Sequence, residues 1–263
     1  MKIPIFVPFG SHSQEAGLIY LLANYLKATY PEVVQLRCNG MFSTCDRDVD
    51  SSWTRTMTTC FACIADQRAL SDWSGLPVQE FSAYVTPDDT RETKQWATSL
   101  DASQLPQAEF RGMPVSEMCR ETFANRFGVS EFEPRNKSHE QFLRKLLVSA
   151  ARAGLAAQRY HSSYSPDLCL VSGGKDYVTQ SFVALSQALK RDVAVFRWDV
   201  ASRAIHITHP RSNKTLSCEL VPEGVLGMRS DYKTWPNELL AIVQGILSFL
   251  EIAAGQLKLP ISK

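Results

Sequence analysis

The sequence predicts an α/β fold, a single Rossmann-like domain in which helices cover both faces of a mostly parallel sheet. Short apolar runs with β-branched residues alternate along the chain with longer stretches of helical periodicity. This alternation is typical of βαβ units, which build parallel sheets. Residues 168–171 are apolar throughout, as expected of a strand buried on both faces. No linker or low-complexity segment interrupts the sequence, so we expect one domain over residues 1–263.

The first half of the chain has the pattern of a β-α-β unit. Ser11 and Gln14 have the spacing of a helix capping box, and Pro31 stops the helix that follows them. Residues 86–107 show little periodicity. The predicted elements are a strand at residues 3–9, a helix ending near residue 30, strands at 33–38 and 78–81, and a long loop or small helical excursion at 86–107.

The second half repeats the alternation of strand and helix. The predicted elements are helices at residues 138–160, 178–190 and 237–255, buried strands at 168–171 and 193–196, and an edge or hairpin strand at 204–208. In such folds ligands collect at the carboxyl ends of the strands. The candidate lining of a site is therefore residues 9–13, 38–42, 171–175 and 197–199.

Charge and hydropathy narrow the class of protein. The 28 Lys and Arg against 27 Asp and Glu leave a formal charge of +1, which disfavours nucleic acid as a partner. The opening apolar run is too short for a signal peptide, contains two prolines and lacks a cleavage site. The apolar stretch at residues 239–250 is about half of what a membrane span needs. We therefore expect a cytoplasmic protein without a transmembrane segment, in a compartment where thiols stay reduced.

Four of the seven cysteines fall close together in the sequence. Cys38, Cys45, Cys60 and Cys63 are separated by six, fourteen and two residues. The two-residue spacing lets two thiolates reach one ion, and the upstream pair can complete a tetrahedral site. We therefore expect a metal-binding, cysteine-rich insertion at about residues 38–65. Structural zinc and an iron–sulfur cluster use the same ligands, and the spacing does not choose between them. The alternative is that these cysteines are small buried residues or a redox pair.

Two turns at the ends of predicted strands hold candidate ligand contacts. The turn of Ser172, Gly173, Gly174 and Lys175 follows a strand and precedes a helix, but it lacks the spacing of a Walker motif. A contact to a bound ligand, with Lys175 as the candidate anion contact, and a plain tight turn are the two interpretations.

The first strand-to-helix turn carries Gly10, Ser11 and His12. Its backbone N–H groups suit an anion or a sugar hydroxyl, and His12 is a candidate catalytic base. Two further histidines, His206 and His209, flank the alternating strand and are expected to face solvent.

The order of several segments resembles a known family. The segments are Gly10-Ser11-His12, the stretch from Leu36 to Cys45 (LRCNGMFSTC), the stretch from Cys60 to Cys63 (CFAC), the stretch from Glu109 to Val115 (EFRGMPV) and the stretch from Ser165 to Gly174 (SPDLCLVSGG). Together they resemble the amino-terminal half of bacterial surface-carbohydrate glycosyltransferase-like proteins with a four-cysteine motif. The likeness covers about residues 2–198.

The resemblance implies a GT-B architecture, in which the amino-terminal domain holds the acceptor and a second domain holds the nucleotide sugar. This chain spans one such α/β domain, so a partner subunit would supply the nucleotide-sugar site. Ser172-Gly173-Gly174 replaces the family's Asn-Gly, and Arg197-Trp198-Asp199 stands where members show an acid followed by Arg-Gly. We therefore expect a glycosyltransferase-like protein that binds a glycan or nucleotide sugar, membrane-associated through partners if at all. The alternatives are a non-catalytic binding module and an iron–sulfur redox protein.

Overall fold

The computed structural model of the chain describes residues 1–8, 14–45, 57–129, 131–133, 135–218, 233 and 235–254. The strands are β1 (Ile3–Phe6), β2 (Val33–Arg37), β3 (Val78–Glu80), β4 (Leu168–Ser172), β5 (Asp192–Asp199), β6 (Ala204–His209) and β7 (Lys214–Cys218). The helices are α1 (Gln14–Leu26), α2 (Met57–Ser74), α3 (Pro87–Ser99), α4 (Val115–Phe127), α5 (Lys137–Tyr164), α6 (Tyr177–Ala188) and α7 (Asn237–Ala254). Short 3₁₀ turns cover Phe81–Tyr84 and Leu105–Gln107.

The strands of the described residues form one sheet in the order β3-β2-β1-β4-β5-β6-β7. The pairs from β3 through β5 are parallel, and β6 and β7 add to the edge as antiparallel strands. The chain order reverses where β1 pairs with both β2 and β4. The mostly parallel α/β sheet predicted from the sequence is therefore confirmed, with the 3-2-1-4-5 order of a Rossmann-like fold.

Both faces of the sheet are covered, because successive strand residues point to opposite sides. Ile3 and Ile5 face the core that contains α1 and α7, whereas Phe6 faces the core that contains α4, α5 and α6. The central strand β4 is buried along its whole length. Its continuous apolar sequence is therefore explained by burial on two faces, as predicted.

Side-chain caps fix the first residues of two helices. Asn136 accepts hydrogen bonds from the backbone N–H groups of Ser138 at 3.0 Å and His139 at 3.3 Å, which fixes the start of the 28-residue helix α5. Thr86 and Asp89 form a capping box at the start of α3. The predicted loop at residues 86–107 is therefore mostly helix; of the two alternatives, the helical excursion is the one observed.

Three elements were missing from the sequence prediction. The buried face of α2 is mostly polar, so apolar periodicity did not reveal this helix. In α4, Val115, Met118, Cys119 and Phe123 do have the spacing of one helix face, and the prediction overlooked it. The mostly polar strand β7 pairs antiparallel with β6, so of the two alternatives predicted for that segment the hairpin strand is observed and the edge strand is not.

The prediction that His209 faces solvent is also wrong. Ile205, Ile207 and His209 alternate onto the same face of β6, and that face packs on the core. His209 is 1% exposed, with Nε2 3.2 Å from Asp192 Oδ1 and Nδ1 2.9 Å from Ser212 Oγ. His206 lies on the opposite face and is partly exposed.

Among the described helices, α7 is long and apolar enough to cross a membrane by length and composition. It is longer than the apolar stretch recognised in the sequence, with a mean hydropathy of 1.4. Leu239, Val243, Ile246 and Leu250 of this helix are buried in the same core as α1. Because core helices pass the same test, this is weak support for a membrane span.

Candidate functional site

The parallel strands β1, β2, β4 and β5 end at the same edge of the sheet. The chain order reverses between β1 and β4, and this is the position at which open α/β sheets bind ligands. Two parts of this edge lie among the described residues, a cysteine-lined cavity after β2 and the turn between β4 and α6. The first strand-to-helix turn, with Gly10, Ser11 and His12, lies outside the described residues. The assignment of His12 as a base therefore stays a prediction.

The four clustered cysteines line one cavity. Cys38 and Cys45 come from the segment after β2, and Cys60 and Cys63 come from the first half of α2. The cavity has a volume of about 30 Å³, roughly the room of two water molecules. Folding therefore brings together thiols that are up to 25 residues apart in the sequence, and we call this the cysteine cavity.

The backbone after Cys38 turns so that two of its N–H groups donate to the cysteine sulfur. Asn39 and Gly40 both adopt left-handed conformations, with φ of 50° and 70°. The backbone N–H groups of Gly40 and Met41 donate to Cys38 Sγ. Burial raises the pKa of the Cys38 thiol to about 12, the two N–H donors lower it, and the neighbouring Cys63 and Cys60 raise it. A cation in the cavity would oppose the effect of burial, because it stabilises the thiolate form.

The cysteine cavity is not a closed coordination sphere as it stands. Over the described ranges, no three His, Cys, Asp or Glu side chains are grouped so that they could hold a metal ion. By residue type, four thiols fit a soft ion such as zinc. Binding would require the side chains around the cavity to close on the ion. Asp46, Asp48 and Asp50, which follow Cys45 in the sequence, lie outside the described residues.

Gln67 anchors the helix that carries Cys60 and Cys63. Its Nε2 donates to the carbonyl oxygens of Val7 at 3.0 Å and Pro8 at 2.7 Å, directly after β1. Gln67 is 1% exposed and itself lines the cysteine cavity. The sequence prediction missed this residue because it missed α2, and a lone glutamine carries no motif. The contact fixes α2 to the carboxyl edge of the sheet.

The turn after β4 is held by its own hydrogen bonds. Gly173 and Gly174 have φ of 94° and 80°. The Gly173 N–H donates to Phe196 O at 2.9 Å, and the Gly174 N–H donates to Thr179 Oγ1 at 2.9 Å. Asp176 caps α6 by accepting from the Thr179 N–H at 2.8 Å. These two N–H groups are therefore used within the turn, as the plain-turn interpretation requires.

Lys175, the candidate anion contact, is engaged elsewhere. Its Nζ lies 2.9 Å from Glu121 Oε1 of α4, and both side chains are partly exposed. Ser172 is buried at the end of β4. A ligand anion at this turn would have to compete with Glu121 for the Lys175 ammonium group. The ion pair also places α4 directly beside the carboxyl edge of the sheet.

Comparisons with known proteins did not identify a family for this chain. No protein-family model matches the chain, and no curated protein matches it with significant similarity. The site therefore defines a class only at the level of the fold, a Rossmann-like α/β protein with a cysteine cavity at its ligand-binding edge.

Proposed function

We propose that the chain is a glycosyltransferase-like module of surface-glycan biosynthesis, the acceptor-binding half of a GT-B arrangement, stabilised by a metal ion in the cysteine cavity. The observation that carries the proposal is the convergence of Cys38, Cys45, Cys60 and Cys63 on one cavity at the carboxyl edge of the sheet. The carbohydrate assignment is supported by the ordered motifs of the sequence. The protein would work in the cytoplasm, associated with membranes through its partners.

The surroundings of the cysteine cavity support a thiolate site. The two N–H donors to Cys38 Sγ favour the thiolate, and a bound cation would offset the cost of burying its charge. When bound by four thiolates, zinc would act structurally by joining the segment after β2 to α2. An iron–sulfur cluster would use the same four thiolates as zinc, so metal analysis decides between the two.

In the enzyme hypothesis, His12 removes the acceptor proton and a partner subunit holds the nucleotide sugar. Positive groups would stabilise the departing diphosphate, and Lys175 is the candidate for this role. The ion pair between Lys175 and Glu121 favours a second candidate, a non-catalytic module that recruits a glycan or a protein partner. An iron–sulfur redox protein is the third candidate and requires a visible chromophore.

Metal analysis of protein purified anaerobically without chelator tests the thiolate site. We expect about one zinc per chain and no absorption near ~400 nm. The variant Cys60→Ser should lose most of the metal, whereas Cys218→Ser, on β7 and outside the cavity, should retain it. An iron chromophore would support the redox candidate, and absence of any metal would refute the thiolate site.

Ligand-induced thermal stabilisation separates the enzyme from the binding module. Stabilisation by nucleotide sugars, or transfer activity with a co-expressed partner that His12→Ala abolishes, supports the enzyme. Stabilisation by an acceptor glycan alone supports the module. If His12→Ala retains full transfer activity, His12 has no role in the chemistry.

A further inference from the structure

A second cavity lies away from the cysteine cavity, between α4, the start of α5 and the 3₁₀ turn Leu105–Gln107. Its volume is about 570 Å³, within the range of pockets that hold small organic ligands. The lining residues are Pro106, Ser116, Arg120, Phe123, Glu131, Phe132 and Leu143. We call it the α4 cavity. None of its residues belongs to the sites predicted from the sequence.

The α4 cavity lies on the helix that borders the carboxyl edge of the sheet. Glu121 of α4 pairs with Lys175 in the turn after β4, and Arg120 is its neighbour in sequence. Ser181 Oγ of α6 also lies 3.3 Å from Met118 Sδ of α4. The helix is therefore fixed against the first half of α6, next to the edge where a Rossmann-like fold binds ligands.

The lining of the α4 cavity combines aromatic rings with charges of both signs. Phe123 and Phe132 pack with ring centroids 6.1 Å apart, and Phe132 is only partly buried. Arg120 and Glu131 are exposed, and neither forms an ion pair with any residue that the structure describes. Ser116 adds a hydroxyl. Hydrogen-bond donors and acceptors are therefore available beside an apolar wall.

We propose that the α4 cavity binds a neutral sugar ring, which would be the acceptor residue of the proposed function. A pyranose has an apolar C–H face that packs on an aromatic ring, and hydroxyls that hydrogen-bond to guanidinium and carboxylate groups. The lining holds one positive and one negative side chain, so it has no net positive charge to attract a phosphate or a nucleotide diphosphate. The chemistry of the lining therefore selects a neutral polyol over a charged donor. This inference rests on the proposed function for its biological setting, and on the cavity alone for its chemistry.

Saturation-transfer NMR with the full chain tests the sugar site. The probes are free neutral hexoses, their methyl glycosides, and a nucleotide diphosphate sugar as the charged comparison. We expect transfer to the ring protons of at least one neutral sugar. Arg120→Ala should weaken its binding about tenfold, the effect of losing one hydrogen bond to a charged group. Because Arg120 is exposed, this variant should fold normally.

Matched variants separate the cavity from other surfaces. Glu117→Ala, an exposed change on the same helix outside the lining, should bind the sugar like wild type. Phe132→Ala should reduce saturation transfer at the C–H face. Equal binding by wild type, Arg120→Ala and Phe132→Ala would overturn the site while leaving the proposed function intact. Preferred binding of the nucleotide sugar that Arg120→Ala weakens, which would place that ligand in the α4 cavity, or no binding of any neutral sugar, would also overturn it. Failure of metal binding, by contrast, would count against the proposed function alone.

Discussion

Replacement of Gly174 by alanine tests the turn at the carboxyl end of β4 most directly. Gly174 has a φ of 80°, a conformation that costs an L-residue about 1 kcal/mol or more. A Cβ atom built on it would overlap Val195 Cγ1 and lie 3.7 Å from Val195 Cβ. Because Val195 is 6% exposed in β5, it has little room to move away. The substitution therefore combines backbone strain with overpacking of the core.

The two effects add to a measurable loss of stability. Overpacking costs ~1–3 kcal/mol and the left-handed backbone ~1 kcal/mol, so Gly174→Ala should destabilise the protein by ~2–4 kcal/mol. Gly128→Ala is the matched control, because Gly128 has a φ of 67° and no atom within 4 Å of its Cβ position. The control should lose only ~1 kcal/mol of stability, because it has the backbone strain without the overlap. In a chain of 263 residues, each kcal/mol lowers Tm by roughly 2 °C.

Urea unfolding followed by circular dichroism measures both variants. A double-mutant cycle isolates the overlap, because Val195→Ala removes the atom that the new methyl group would meet. On that background, Gly174→Ala should cost about the same as Gly128→Ala. If both glycine variants lose equal stability, or if the cycle shows no coupling between positions 174 and 195, the packing argument is refuted.

Three further predictions concern charge and helix stability. Arg159→Met leaves the buried Asp89 carboxylate without its guanidinium partner. The variant should lose about 2 kcal/mol of stability, less than for a fully buried pair because Arg159 is 40% exposed. An unchanged urea midpoint would contradict this. Burial lowers the pKa of His161 to about 4, so the folded state favours the neutral ring. Stability should therefore fall by about 3 kcal/mol as the pH drops from about 6.5 to about 4, and His161→Gln should remove that part of the pH dependence in parallel urea titrations. Gly245→Ala lies inside α7 with no atom within 4 Å of the new methyl group, so it should raise the stability by about 0.5–1 kcal/mol; a lower Tm would count against it.

Elements with a local sequence pattern could be predicted, whereas elements held by contacts between distant residues could not. The buried strand β4 is readable because two covered faces favour apolar residues, and its first four residues are apolar without a break. The helix α2 is not readable in this way, because polar residues such as Gln67 and Ser71 hold it in place by hydrogen bonds across the fold. A hydrogen bond from Gln67 to Pro8 joins residues 59 positions apart, and no local pattern encodes it.

The residues of the candidate site also differ in whether a local sequence signal marks them. The spacing of Cys60 and Cys63 is a local signal, and the strand-to-helix position of Gly173 and Gly174 is another. The α4 cavity carries no signal of this kind, because its walls come from four separate segments between residues 106 and 143. Arg120 and Glu131 are ordinary surface residues until packing places them around the same space.

By itself, the sequence determined the α/β class, the order of most strands and helices, and the cysteines and glycines that line the carboxyl edge. These features follow from periodicity and spacing, which act between residues near one another in the chain. The tertiary structure alone decided that His209 is buried and that Lys175 is paired with Glu121. Such outcomes depend on which segments pack together, and the free energy of packing is a property of the whole fold.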